Sequence, residues 1–544
     1  MSTSNVIGRW WNYAWGLHHQ AKDLLRFSVG VTPSGSPDQI KTKVDLNTSK
    51  PPSFKPHQKI GLFLGPLLFI LIYFFGSFPG MSEQAQAVLA CTVWIATWWI
   101  TEAIPIPATS LLPIILFPLT GALKVKEATA SYGDPTIFLF MGGFMIALTL
   151  ERWNLHKRIA LNVISWVGTK TDRIVLGSMI ATGFLSMWIS NTATAVMMVP
   201  IGLAIIYQLA ETMKNNGNVD ITPGNFPFGK SLMLGIAYSA SIGGLGTLIG
   251  TPPNAIFAAQ VSKLFNVEIS FASWMMFGVP LVVVLLTLTW LYLVKVAFPM
   301  KSVEIPGGRE VIKKELQSLG GFSTEEKMVA TIFALTALAW ITRDFLLEDL
   351  IKGIDDTLIA IIAALVLFIL PAPNHRGTRL LDWDTAKNIP WGILLLFGGG
   401  LAIAAGFKES GLAKWIGEQL TSLEGIPYLL LLVVVVALVI FLTEITSNTA
   451  TATMMFPIMA SFAAALSVHP YGFMVGAGIA ASCAFMLPVA TPPNAVVFGS
   501  GYIKIGDMVK AGFWLNIISI LVIVAAIYFI LPMAWGIDLQ APMK

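Results

Sequence analysis

The strings "SNTATAVMMVP" (Ser190–Pro200) and "SNTATATMMFP" (Ser447–Pro457) agree at nine of eleven positions and lie 257 residues apart. Each begins with a polar triplet and runs into apolar residues without a charge. Ser and Asn are favoured helix N-caps, because their side-chain oxygens accept from the free N–H groups of a first turn. Each string therefore marks the start of a helix inside an apolar stretch. The surrounding segments, 174–209 and 426–466, read as helical hairpins that enter and leave by the same face. Each arm is about 15–20 residues, short for a full span.

The repeat extends outward from the two triplets. Gly142-Gly143 matches Gly399-Gly400 and Lys157 matches Lys414 at the same offset. Downstream, "TPPNA" at Thr251–Ala255 recurs at Thr491–Ala495, now 240 residues away. The change of 17 equals the polar insert "KNNGNVDITPGNFPFGK" in the first half. Pro252-Pro253 and Pro492-Pro493 cannot continue a helical hydrogen-bond ladder, so each apolar span must break there. Unpaired backbone is tolerated at membrane depth only where it is buried or lines a cavity. Four polar breaks in two symmetric pairs point to one central site. A lone Ser or Thr in such a helix usually bonds back to its own backbone; duplication of both motifs favours a shared site.

Composition sets the environment. Of 544 residues, 55% are hydrophobic and 12% charged, and the mean hydropathy is +0.73. Soluble domains carry about 25% charged residues. Apolar runs such as Ile60–Phe75, Leu281–Leu293, Leu358–Leu370, Tyr428–Leu442 and Ile517–Leu531 approach the length a bilayer requires. The pattern predicts an all-α polytopic membrane protein with about eleven crossings, at 60–78, 85–104, 106–122, 134–150, 231–261, 272–297, 327–346, 356–371, 390–407, 470–497 and 510–534, plus the two hairpins. With the N-terminus inside, most of the 34 basic residues fall on the cytoplasmic side, as the positive-inside rule requires. Five crossings separate equivalent elements, so the halves are inverted. Inverted repeats are characteristic of secondary transporters, with sites at the repeat interface.

Other features exclude alternatives. The first 58 residues are polar and carry no secretory signal pattern. Within them "RWWNYAWGLHHQAKDLLRF" (Arg9–Phe27) could lie at the membrane surface as an amphipathic helix or be an ordinary tail. Residues 302–326 read as a charged linker. Cys91 and Cys483 sit in apolar segments and read as buried hydrophobes. No metal-ligand cluster, Walker loop, nucleophile elbow or catalytic dyad is present, which argues against an ATP-driven pump or a membrane enzyme. Glu102 and Glu444 are the carboxylates within apolar spans. Glu444 lies three residues before Ser447, and its counterpart is Met187. A carboxylate there is a functional candidate, either holding structure by hydrogen bonds or tuning a cation site. No Lys or Arg falls at mid-membrane, so an anion would rely on helix ends, hydroxyls, amides and bound cations.

The two Ser-Asn-Thr hairpins, the two Thr-Pro-Pro-Asn breaks and "WWITEAIPIPATSLLP" together resemble the divalent anion/sodium symporter family, most nearly its bacterial sodium/dicarboxylate symporters. The likeness runs from about residue 58 to the C-terminus. It implies a homodimer in the cytoplasmic membrane that works as an elevator. A scaffold would comprise 59–170 and 327–424, a mobile transport domain 171–298 and 425–544, with a tail at 1–58 and a linker at 299–326. It implies import of C4-dicarboxylates (succinate, malate, fumarate) with two or more Na⁺. One sodium would meet Ser186, Ser190, Asn191 and backbone at Gly250; another Thr443, Thr446, Asn448 and backbone at Ala490. One substrate carboxylate would meet Ser190, Asn191 and Thr192, the other Ser447, Asn448 and Thr449, with Thr251, Pro252, Thr491 and Pro492 lining the pocket. The rival readings are a sodium-independent dicarboxylate exchanger on the same fold, or a sodium-coupled citrate or sulfate carrier. A channel is a more distant one. Nucleic acid is not an implied partner.

Overall fold

A computed structural model describes residues 55–214, 222, 224–300, 302–303, 308–420 and 425–543. The tail containing Arg9–Phe27 and part of the polar insert lie outside them. Among the described residues the regular secondary structure is helical, and no strand occurs. The longer helices of the first half are α1 (Pro56–Phe75), α2 (Glu83–Thr101), α3 (Pro135–Arg152), α4 (Leu155–Val167), α5 (Thr171–Ser186), α6 (Asn191–Lys214), α7 (Pro227–Gly243), α8 (Pro252–Phe265) and α9 (Phe271–Leu291). A connecting helix follows, α10 (Gly308–Ser318). The second half repeats the set as α11 (Thr324–Thr342), α12 (Asp356–Ile369), α13 (Trp391–Ser410), α14 (Leu412–Leu420), α15 (Tyr428–Thr443), α16 (Asn448–Ala465), α17 (Pro470–Ala481), α18 (Pro492–Gly499) and α19 (Ile505–Trp535). Each helix of the first half thus corresponds to the one numbered ten higher.

Local chemistry sets the helix starts. Pro occupies the first turn of α7, α8, α17 and α18, where its missing N–H costs nothing. Ser82, Ser270, Ser323 and Asp355 cap α2, α9, α11 and α12 through their side chains. Asn266 ends α8 in the left-handed conformation with φ 56°, a role its side chain tolerates.

Seven helices among the described residues are long and apolar enough to cross a membrane. The other expected crossings are met by shorter or interrupted helices. The segment 106–122, expected as one crossing, forms two short helices instead, Ile106–Thr109 and Leu112–Leu119. Pro105 and Pro107 flank the start of the first and Pro113 sits in the first turn of the second, and each proline removes a backbone donor. The sequence reading had also passed over α4 and α14. Both begin straight after the end of a long helix; α4 lies on α5, and α14 lies on α16.

Burial separates a centre from a periphery. On α7 every residue from Ser231 to Gly243 is buried, and α17 is buried along its whole length. α7 packs on α5, α6 and α18, while α17 packs on α15, α16 and α8. These are mirror-related neighbour sets, and α9 meets α19 between them. By contrast, α1 exposes Phe63, Leu67, Phe74 and Phe75. An apolar surface of that extent needs lipid or another protein against it. The linker helix α10 is held on α4 by Lys157–Glu315 at 3.0 Å. Beside it, Arg158 pairs with Glu326 at 2.8 Å.

Candidate functional site

Both hairpins turn in the same way. Helix α5 stops at Ser186 and α6 begins at Asn191; α15 stops at Thr443 and α16 begins at Asn448. Adding 257 to either boundary of the first turn gives the second. Ser190 caps α6 by accepting from Ala193 N at 3.2 Å, and Ser447 caps α16 by accepting from Ala450 N at 3.5 Å. Ser190 and Thr192 are exposed; Asn191, Ser447, Asn448 and Thr449 are half-buried. The helix starts leave backbone N–H groups and the positive ends of two helix dipoles at the tips.

Beneath each tip lies a cluster of oxygens. The Ser186 hydroxyl is within hydrogen-bonding reach of Ala240 O, at 2.6 Å, and of Asn191 Oδ1. The Thr443 hydroxyl is 2.8 Å from Ala481 O and 2.7 Å from Asn448 Oδ1. A hydroxyl has one proton and can satisfy only one of two acceptors at a time. Each cluster therefore carries surplus lone pairs in a buried place, since Ser186 and Thr443 are 0% exposed. Surplus oxygen ligands suit a small hard cation. In the first half, a Cβ placed on Gly244 would come within 2.9 Å of both Asn191 Oδ1 and Gly250 O. Those two oxygens open onto one small space that only glycine leaves free.

The helix breaks are sewn by the last polar letter of each Thr-Pro-Pro-Asn. Asn254 Nδ2 donates to Gly244 O at 3.0 Å and to Thr247 O at 2.7 Å. Asn494 Nδ2 donates to Ala484 O and Leu487 O, each at 3.0 Å. The acceptors stand ten and seven residues before the Asn in both halves. Thr491 Oγ1 accepts from Asn494 N at 3.3 Å. Pro252 and Pro492 open α8 and α18, half-buried and exposed respectively. Asn254 and Asn494 were repeated letters that the sequence reading left without a role. The carbonyls of Ala240 and Ala481 had no signal at all.

The halves meet at the breaks. Thr251 Oγ1 lies 3.5 Å from Ser482 Oγ, and Ser482 follows Ala481 of the second oxygen cluster. Tyr238 on α7 donates to Phe485 O in the second break at 3.0 Å. Gln260 on α8 donates to Thr453 O on α16 at 3.3 Å. A run of contacts thus leads from Asn191 past Gly250 and Thr251 to Ser482, Thr443 and Asn448. Two expected ligands stand apart from their cluster by side chain. Thr446 Oγ1 is satisfied by Leu442 O at 2.8 Å and Thr451 Oγ1 at 2.6 Å, and Ser190 Oγ serves as a cap. Ser190, Thr446 and Ala490 are left to contribute backbone oxygens, and that of Ser190 also accepts from Thr194 N at 3.0 Å.

Glu444 is 3% exposed. Its carboxylate accepts from Phe485 N at 2.8 Å, Met486 N at 2.9 Å, Leu487 N at 3.2 Å and Asn516 Nδ2 at 2.8 Å. Its hydrogen-bonding role is therefore present in full. Among the described residues no His, Cys, Asp or Glu cluster could hold a transition metal.

Known proteins resemble this chain over most of its length. Residues 57–536 match the family model described as the sodium:sulfate symporter transmembrane region. The chain is 51% identical over 501 residues to the sodium-dependent dicarboxylate transporter SdcS of Staphylococcus saprophyticus, covering 91% of this chain and 96% of that one. It is 52% identical over 499 residues to SdcS of Staphylococcus aureus strain MRSA252, covering 91% and 95%. Among solved structures, the YdaH transporter of Alcanivorax borkumensis aligns with a TM-score of 0.53 at 14% identity, covering 82% of this chain and 99% of that one. MtrF of Neisseria gonorrhoeae aligns with a TM-score of 0.52 at 13% identity, covering 85% and 97%. These two share the fold. The two SdcS relatives are named as transporters.

Proposed function

The chain belongs to the sodium:sulfate symporter family, and from that premise we propose that it carries C4-dicarboxylates into the cell together with Na⁺, using the two mirror-related breaks as one site. Sodium is cargo in this reading, and the SdcS relatives are named sodium-dependent. The observation that carries this reading is the pair of oxygen clusters, Ser186–Asn191–Ala240 and Thr443–Asn448–Ala481, joined through Thr251 and Ser482.

Each cluster takes one Na⁺. Asn191 Oδ1, Ser186 and the backbone of Ser190 and Gly250 form the first set. Asn448 Oδ1, Thr443 and the backbone of Thr446 and Ala490 form the second. The substrate lies between, one carboxylate at Ser190-Asn191-Thr192 and the other at Ser447-Asn448-Thr449. Helix N-termini are ready-made anion sites. Stripping water from a dianion is costly without compensation, and two ions beside the two carboxylates offset both charges locally. Sodium also orders each tip, because a ligand that binds one state shifts the population toward it. If only the filled or the empty site crosses, the two fluxes are coupled.

The same reading assigns 171–298 and 425–544 to a moving body, and 59–170 and 327–424 to a fixed frame. Two copies associate through that frame in the cytoplasmic membrane, with the N-terminus inside. Radiolabelled succinate uptake into proteoliposomes tests the reading. Uptake is expected with an inward Na⁺ gradient and not with K⁺, and Asn191→Ala or Asn448→Ala abolishes it or raises the sodium requirement. Sodium-independent counterflow, or full uptake by both variants, would sink the proposal.

A further inference from the structure

The two halves differ where Glu444 sits. In the first half the equivalent residue is Met187, whose side chain lies within 3.1 Å of where a Cβ on Gly246 would be. In the second half Gly246 is replaced by Met486, whose N–H is bound by Glu444. The helices behind the breaks differ in step. Gly278 on α9 lets that helix rest on Leu245 O, and Gly512 on α19 lets its counterpart rest on Phe485 O. That register, 234 residues, sets Asn516 opposite Val282. The second half thus has a polar pair, Glu444 with Asn516 at 2.8 Å, where the first has the apolar residues Met187 and Val282 at the equivalent positions. The polar pair is not needed to build the break, since the first half builds the same turn without it.

Asn516 and three consecutive backbone N–H groups satisfy the carboxylate. Among the described residues, no ion pair with Lys, Arg or His joins it. Its hydrogen bonds stabilise the charge without cancelling it, and Thr443 of the second oxygen cluster is its chain neighbour. We propose that Glu444 is a positioning residue for the sodium ion at the second hairpin tip, and that it makes that site the tighter of the two. It holds the N–H groups of residues 485–487, which lie between Ala481 and Ala490 of the second set. It also places an uncancelled negative charge beside the cation in a medium of low dielectric. This inference rests on the sodium-coupled reading above.

The test uses the full-length protein. Sodium titrations are read by thermal stability without substrate and by succinate uptake. The double variant Glu444→Met with Asn516→Val installs the first half's apolar residues at both positions; because it also removes the acceptor of three backbone N–H groups, its folded yield and Tm are measured beside the sodium titration. It is expected to raise the half-saturating sodium concentration by about tenfold or more. The succinate KM at saturating sodium should stay within about twofold. Glu444→Asp, which keeps the charge, should shift sodium affinity less than Glu444→Gln. An unchanged sodium requirement in the double variant, with only a lower maximal rate, would overturn the proposal. So would equal shifts for Asp and Gln.

A second measurement leaves Glu444 in place. With Asn448→Ala only the first site remains, and with Asn191→Ala only the second. The proposal requires sodium to stabilise Asn191→Ala at the lower concentration, and the reverse order refutes it. If the unmodified protein shows no sodium response at all, it is the transport reading that has failed.

Discussion

The two breaks follow one backbone course with different residues. The first reads "GGLGTLIGTPPN" (Gly243–Asn254) and the second "CAFMLPVATPPN" (Cys483–Asn494). Both are sewn by the terminal Asn to carbonyls ten and seven residues earlier. In the first, glycines let chains touch. A Cβ on Gly243 would lie 2.2 Å from Gly183 O on α5, backbone against backbone. In the second, the corresponding residues are Cys483 and Ile440, so α15 and α17 cross with side chains between them. What the halves share is the path of the main chain and its Asn staple. What differs is whether close approach or a side-chain clamp makes the path rigid.

The largest break in this comparison is Gly243→Ala. Backbone on backbone cannot yield as a side chain does, and overpacking a tight core costs about 1–3 kcal/mol or more. Loss of monodisperse protein in detergent is expected, or a sharp drop in Tm. Cys483→Ala at the mirror position removes only a buried thiol and should cost about 1 kcal/mol. Equal losses for both would mean the crossings are not packed as different in kind.

Gly244→Ala comes next and acts on transport more than on folding. Its methyl fills the space onto which Asn191 Oδ1 and Gly250 O both open. The second half already has Ala484 at this position. Sodium affinity is expected to fall by about tenfold or more, the scale of losing one good ligand contact, with folded protein retained. Ala484→Gly should leave the sodium titration within about twofold. Proteoliposome uptake across a sodium series separates the two.

Much of this was legible in the sequence because the signals are local. An N-cap and a Pro-Pro pair each act within one turn, so the copies at 190 and 447 and at 251 and 491 located the tips and breaks. The ends of α5 and α15 obey the same offset. The parts that were not legible depend on crossings. Nothing in the string marks the carbonyls of Ala240 and Ala481, because any residue supplies a carbonyl. Asn254 and Asn494 were visible as repeated letters, yet their staples appear only once the chain has turned back on itself. Glu444 stood out as a charge without a mirror, but its donors come from two distant places, the break at 485–487 and Asn516 on α19, and the 234-residue register of α9 and α19 is carried by single glycines rather than a motif. The segment 106–122 hides its division into two short helices for the opposite reason. Its apolar content suits a crossing, and its prolines divide it.

The smallest effect should come from the contact that spans the halves. Thr251 Oγ1 and Ser482 Oγ are 3.5 Å apart, at the weak limit for a hydrogen bond. Thr251 is 4% exposed and Ser482 2%, so neither hydroxyl gains much from water. Thr251→Val keeps the shape and removes the polar atom, leaving Ser482 short of a partner at a cost of about 1 kcal/mol. Uptake should fall by about two- to fivefold, and adding Ser482→Ala should recover part of it by removing the stranded hydroxyl. If Thr251 instead touches the substrate, the double variant will be worse than the single, and the succinate KM will rise while the sodium requirement holds. The sign of that coupling therefore tells whether the seam between the halves is a joint or part of the pocket wall.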